Sequence, residues 1–250
     1  LSDGGTGFAD VLSSGVSGAR TVPIVVRDPW SRPTPAVLVC DPFGTAYVEA
    51  AAACGPDLVG PEPGDPTTTT TLGVGDLVAA ALDEGAREIV VGLGRSVALD
   101  AGAGLLAALG AGELEVLGRG GLALSAVGLG DLAGLVPVVE RFRSHVRLAM
   151  ATEDDLPLLG LQGTTATHAV ALGADPDREA LLESSLGHFA ERVRRVVPGP
   201  VDLLTGTEVR ADTAAGAGAA GGVGFALYLL GARRRRGFDV VADAVGLDGA

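Results

Sequence analysis

The sequence predicts an α/β protein, with an antiparallel meander near the N-terminus and a parallel sheet with helices after it. Two observations carry this. Three β-rich runs, 21–27, 36–40 and 45–48, are separated by the turn signals Asp28-Pro29-Trp30-Ser31 and Asp41-Pro42-Phe43-Gly44, and connections this short join antiparallel neighbours. Further on, Leu77, Val78, Ala81 and Leu82 have helical spacing and Gly85 stops them. The apolar strand 88–91, the glycine turn GLGRS and a small-residue helix 101–109 follow, with Asp100 as a polar stop between turn and helix. Helix, strand, glycine turn and helix in that order imply a parallel sheet.

The other elements follow in chain order. Asp3-Gly4-Gly5-Thr6-Gly7 ahead of Phe8, Val11 and Leu12 is a glycine turn opening a helix, with Asp3 placed to cap it or to hold a metal or a hydroxyl. Glu49 heads a run of alanines, so its carboxylate sits where strand gives way to helix, as a helix-dipole partner or a site residue. Residues 55–71 hold Pro61, Pro63, Pro66 and five consecutive Thr, which predicts a surface loop. The Leu- and Gly-rich stretch 110–134 offers a strand near 114–117. Strand candidates at 136–139 and 146–149 flank a charged ERFRSH that also permits a helix. Asp175-Pro176-Asp177 caps and starts an amphipathic helix through Leu182, Leu186, Phe189, Val193 and Val196, which Pro198 and Pro200 end. The last segment has a glycine loop at 216–222, a helix-like GFALYLLGA, four arginines and a short DVVADAVGL.

Composition narrows the function. The 250 residues suffice for one large α/β domain or two smaller ones. Acidic residues outnumber Arg by 31 to 18, a net charge of −13 that repels nucleic acid and anionic membranes. Lys is absent, which excludes a Walker-type lysine, so any phosphate must be held by Arg, backbone amides or a metal. Cys40 and Cys54 lack metal or disulfide spacing and suit a reducing, cytoplasmic compartment. The chain begins at Leu1 with residues that look like the interior of a protein, so a piece of a longer chain is expected. Residues 213–232 are free of charge over about a membrane span, but their Gly/Ala first half is too weakly apolar for lipid; a buried glycine loop and helix is expected.

Three chemistries compete on the residues themselves. Gly216, Gly218 and Gly221 have the dinucleotide-binding spacing with Asp239 downstream, yet the EVRADTAA before them is too polar for a buried parallel strand. Gly94-Arg95-Ser96-Val97-Ala98 approximates a nucleophile elbow, with Ser96 attacking and His168 or His188 as base in an acyl hydrolase; Ala98 stands where that motif prefers Gly. In the third, the turns at 3–7, 92–96 and 216–222 form one phosphate-handling surface. Asp3, Glu49 and Asp100 then offer oxygens to magnesium or a substrate hydroxyl.

Read together, DGGTG, TAYVEAAAACG, the stretch 73–110 and AGAGAAGGVGFALYLLGA resemble, in order and spacing, the signature segments of the glycerate kinase family. The resemblance spans nearly the whole chain. It implies phosphoryl transfer from ATP to a hydroxyl of glycerate with magnesium, in a fold of two α/β domains, the second inserted into the first. On that division 1–66 is part of the first domain, 67–212 the inserted domain and 213–250 the return segment.

Carried over residue by residue, Asp3, Gly4, Gly5 and Gly7 match the acidic glycine motif and Glu49 the glutamate before the small-residue helix. Gly92, Gly94, Ser96, Asp100, Gly102 and Gly104 match the central motif, and Gly216, Gly218, Gly221, Gly222 and Gly224 the late one. The resemblance implies Asp3 and Asp100 as magnesium or hydroxyl ligands, Ser96 and the glycine amides as phosphate or carboxylate binders, and Arg95 as an unusual cation. It departs from the family at Arg95 and Ala101, where glycines are expected, at Leu99 and Leu156, where asparagines are, and at Leu172, where a lysine is. Such losses are also what a degenerate, non-catalytic relative binding a small acid or nucleotide would show.

Overall fold

The computed structural model describes residues 3–59, 65–199, 206 and 208–247. Helix α1 (Phe8–Gly15) precedes three strands, β1 (Arg20–Arg27), β2 (Pro33–Cys40) and β3 (Thr45–Glu49). A short α2 (Ala51–Cys54), α3 (Leu72–Asp83), β4 (Glu88–Gly92), α4 (Ala103–Ala108), α5 (Leu114–Leu117), α6 (Leu135–His145) and β5 (Arg147–Ala151) follow. The chain then runs through α7 (Thr164–His168), α8 (Pro176–Val196), α9 (Ala219–Leu229), β6 (Arg233–Arg235) and α10 (Gly237–Val245).

The strands form one sheet in sequence order β1 to β6. As the turn signals predict, β1–β2 and β2–β3 pair antiparallel, with Arg20 opposite Cys40 and Arg27 opposite Pro33. From β3 onward every pairing is parallel. Glu49, Gly92, Ala151 and Arg235 lie in register at the carboxyl ends of β3 to β6, so the loops that follow open on one edge. In open α/β sheets that edge is where ligands bind. The sheet takes β1–β3 from residues 1–66, β4 and β5 from 67–212, and β6 from 213–250.

Helices cover both faces. On one, Leu38, Val48, Ile89, Val91, Leu148 and Met150 join the buried side of α3, α4, α6, α8 and α9 in the main core. On the other, Phe8 and Leu12 of α1 and Val240 and Val241 of α10 pack on Val39, Tyr47, Val90 and Ala149, with the Phe8 and Tyr47 rings edge to face at 6.3 Å. Small residues let backbones close up: a Cβ on Gly75 of α3 would meet Leu105 O of α4 at 2.7 Å.

Several elements differ from the sequence expectation. Residues 114–117 are a helical turn instead of a strand. Residues 136–139 lie inside α6, where Pro137 occupies the first turn and lacks only an N–H that the helix does not use. The threonine run is no surface loop, since Thr67, Thr69, Thr70 and Thr71 are buried; residues 60–64, with Pro61 and Pro63, lie outside the described set, as does Pro200. The arginine run forms β6, its charge answered by acidic partners: Arg234 pairs with Asp155, Arg235 with Asp243 and Arg236 with Glu153. Residues 220–222 turn left-handed before α9 continues as a buried helix. Among the described residues no helix is long and apolar enough to cross a membrane.

Glu49 is buried at the end of β3. Its carboxylate accepts from the N–H of Gly7 (3.1 Å) and of Ala9 (2.9 Å). It therefore caps α1, whose own N-cap residue, Gly7, has no side chain to do so. The dipole it answers belongs to a helix forty residues upstream, and not to the alanine helix it precedes. Glu49→Ala should destabilise the protein by about 1–3 kcal/mol, because two N–H groups lose their acceptor. A lowered urea midpoint with an unchanged m-value is the expected record; an unchanged midpoint would show that water replaces the cap.

Candidate functional site

A cleft of about 430 Å³ opens at the carboxyl ends of the parallel strands. All three glycine turns reach it. Asp3, Gly5 and Thr6 come from the first, Leu93, Gly94, Arg95 and Ser96 from the loop after β4, and Ala220 and Gly221 from the turn before α9. The turns touch through bare backbone: a Cβ on Gly94 would lie 2.6 Å from Gly5 Cα, and one on Gly221 would overlap Ala98 O. Ala101 N–H donates to Gly221 O (3.2 Å) and Leu93 N–H to Ala151 O (2.9 Å). Any side chain at the two glycines would push the turns apart.

The structure separates the expected residues into two groups. Asp3, Gly5, Gly94, Arg95, Ser96 and Gly221 line the cleft. Gly4, Gly7, Gly92, Gly216, Gly218 and Gly222 shape the turns from outside its lining, and Glu49 is engaged with α1.

Asp100 does not face the cleft, contrary to its expected part as metal or hydroxyl ligand. It is fully buried and its carboxylate accepts from Thr71 N–H (2.8 Å), Thr70 Oγ1 (3.1 Å), Thr71 Oγ1 (2.9 Å), Gly102 N–H (3.0 Å) and Gly104 N–H (3.2 Å). Burial pushes its carboxyl above the usual carboxylate range, against the opposing pull of the Thr71, Gly104 and Thr70 donors. A group so enclosed cannot reach a ligand without abandoning the loop it holds. Leu99, where the family resemblance expects an asparagine, also points into the core.

The groups left at the cleft are few. Asp3 Oδ1 accepts from Gly5 N–H (2.9 Å). Arg95 is exposed and, among the described residues, makes no ion pair or hydrogen bond. Ser96 Oγ is bound locally, donating to Ala98 O and accepting from Ala98 N–H, each at 3.0 Å. His168 lines the cleft, whereas His188 bonds Val127 O (2.8 Å) elsewhere. The serine thus has no histidine bonded to it, and nothing aligns it as a nucleophile. Cys54, beneath this loop, is buried and its thiol is pushed up to about 12 by desolvation, so it is not a nucleophile either.

Sequence reasoning missed the residues that follow β5. Thr152, Glu153 and Asp154 line the cleft, with Glu153 paired to Arg236 (3.3 Å) and Asp154 Oδ1 accepting from Leu156 N–H (2.8 Å). The signal was the acidic triplet Glu153-Asp154-Asp155 directly after a parallel strand.

Fold and cleft together define an α/β protein that gathers backbone amides, the Arg95 guanidinium and carboxylates at the carboxyl edge of a parallel sheet. The sequence profile of the glycerate kinase family matches residues 1–250. The chain is 37% identical over 251 residues to a glycerate kinase of Bacillus subtilis, covering 98% of this chain and 62% of that protein. It is 32% identical to glycerate 2-kinase of Escherichia coli, covering 99% and 63%. A crystal structure described as putative glycerate kinase 2 from Salmonella typhimurium superimposes with a TM-score of 0.82 at 32% identity, over 99% of this chain and 64% of that one. The chain belongs to the glycerate kinase family. It spans under two thirds of the length of these relatives.

Asp3 and Asp100 should behave oppositely on mutation. Asp100→Ala strands buried donors and should cost at least about 3 kcal/mol in denaturant unfolding, while Asp3→Ala, at an exposed position, should stay within about 0.5 kcal/mol of the parent. Equal stabilities for the two variants would contradict the assignment of Asp100 to the interior.

Proposed function

We propose that the cleft carries a phosphotransferase reaction in which the γ-phosphoryl group of ATP passes to a hydroxyl of glycerate. The observation that carries this is the meeting of three glycine turns around Arg95 and Asp3. Backbone N–H groups of such turns hold anionic oxygens without a lysine, and Arg95 supplies the positive charge that a transferring phosphoryl group requires. Membership of the glycerate kinase family and the relatives' names support glycerate as the acid.

In this reaction the acceptor hydroxyl oxygen bonds to phosphorus as the bond from phosphorus to the bridging oxygen of ADP breaks. The protein's task is positioning and charge stabilisation more than covalent chemistry. The Asp3 carboxylate is the group assigned to orient the hydroxyl and take its proton. Arg95 reaches from the opposite turn to the phosphoryl oxygens, and the Gly94 to Ser96 amides bind phosphate or the acid's carboxylate.

The donor set also suits magnesium arriving with the nucleotide. Asp3 and Asp154 give hard oxygen donors at the cleft, and magnesium is held by one or two carboxylates together with substrate phosphates. Asp100 is not part of that set. Bound there, magnesium would neutralise phosphate charge.

Arg95→Ala should lower kcat/KM for glycerate phosphorylation by roughly a hundredfold, with Arg95→Lys recovering only part because lysine lacks the planar fork. The measurement is ADP release coupled to a dehydrogenase, with thermal melts to confirm intact folding. Full activity in Arg95→Ala would remove the arginine from the mechanism.

A further inference from the structure

A recess of about 140 Å³ opens beside the cleft and shares Pro56, Ala171 and Leu172 with it. The rest of its wall is Trp30, Val59, Thr69 and Val97. Among the described residues no charged side chain lines it. The Thr69 hydroxyl in this wall is engaged with Val97 O (2.8 Å) and Pro66 O (3.1 Å).

Trp30 is held rigidly at the rim. It sits in the β1–β2 turn, where Asp28 Oδ1 accepts from the N–H of Trp30 and of Arg32, both at 2.9 Å. The Arg32 guanidinium covers the indole at 4.9 Å from its centroid. Arg32 is not part of the recess wall. Thr70 N–H donates to Pro29 O (3.0 Å), which ties this turn to the threonine run and so to Asp100.

The two substrates of the proposed reaction differ in what such a recess could bury. Glycerate carries oxygen on every carbon and has no apolar group to place there. The nucleotide has one flat, largely apolar part, its base. We propose that the recess walled by Trp30, Val59, Val97 and Leu172 binds the nucleobase of the phosphoryl donor, by stacking and shape, while the phosphates extend to the glycine turns. This rests on the phosphotransferase reading above. Stacking on an aromatic ring tolerates any base, and a wall whose side chains offer a base edge no more than the Trp30 indole N–H discriminates weakly between bases. GTP should therefore bind within about tenfold of ATP.

Trp30 is the single tryptophan of the chain, so its fluorescence reports on a side chain of the recess wall. Titrations with magnesium-ATP, adenosine and inorganic tripolyphosphate, each paired with calorimetry, form the test. ATP and adenosine should change the emission and tripolyphosphate should not. Val59→Phe, which narrows the recess from a half-buried position outside the cleft lining, should weaken adenosine binding at least tenfold and leave tripolyphosphate binding unaltered. Trp30→Ala should weaken ATP binding by about tenfold in calorimetry. If ATP binds without changing the emission, or Val59→Phe leaves adenosine binding intact, the recess assignment is wrong and the phosphotransferase reading stands. A preference for ATP over GTP of a thousandfold would overturn recognition by shape. Should neither ATP nor tripolyphosphate bind at all, the phosphotransferase reading fails and takes the recess with it.

Discussion

One buried carboxylate sets the shape of the carboxyl edge of this sheet. Asp100 collects donors from the threonine run that leads into α3 and from the start of α4. Thr71 Oγ1, one of those donors, in turn accepts from Leu105 N–H (3.1 Å). A carboxylate removed from water is tolerated only when such donors surround it. The loop between β4 and α4 therefore has one arrangement available, and that arrangement presents Arg95 to the cleft.

The remaining turns are placed by contacts that depend on this loop. The late glycine turn lies against Ala98 and Ala101, and the first turn against Gly94. Glu49 secures the helix behind the first turn from the end of the neighbouring strand. Two buried carboxylates thus hold the scaffold, while Asp3, bonded to Gly5 N–H, and Arg95 lie at the cleft. Position 99 carries a hydrocarbon side chain that faces the core, while the turns leave no room for a side chain at positions 94 and 221.

Much of this was legible in the sequence. The meander could be read because Asp-Pro turns punctuate β-branched runs, and the parallel order because a helix and a glycine turn flank 88–91. The three glycine turns meet at one cleft because their glycines leave room for backbone to touch backbone. The failures have physical causes. The threonines lack apolar periodicity, and their burial depends on a carboxylate about thirty residues away. Residues 136–139 carry strand-forming valines, but packing on β5 and a proline suited to a helix's first turn decide for helix. Glu153 and Asp154 were missed because β5 runs to Ala151, two residues further than the pattern suggested. Asp100 was expected at a ligand, whereas its carboxylate binds backbone and threonine donors in the interior, a difference that residue type alone does not reveal.

The central claim is that three turns far apart in sequence share one ligand. Amide hydrogen exchange with and without magnesium-ATP and glycerate tests it most directly. Slowed exchange together in 4–8, 93–97 and 218–222 is the predicted result. Protection confined to one of these stretches, or absent from all three at saturating ligand, would contradict a common site.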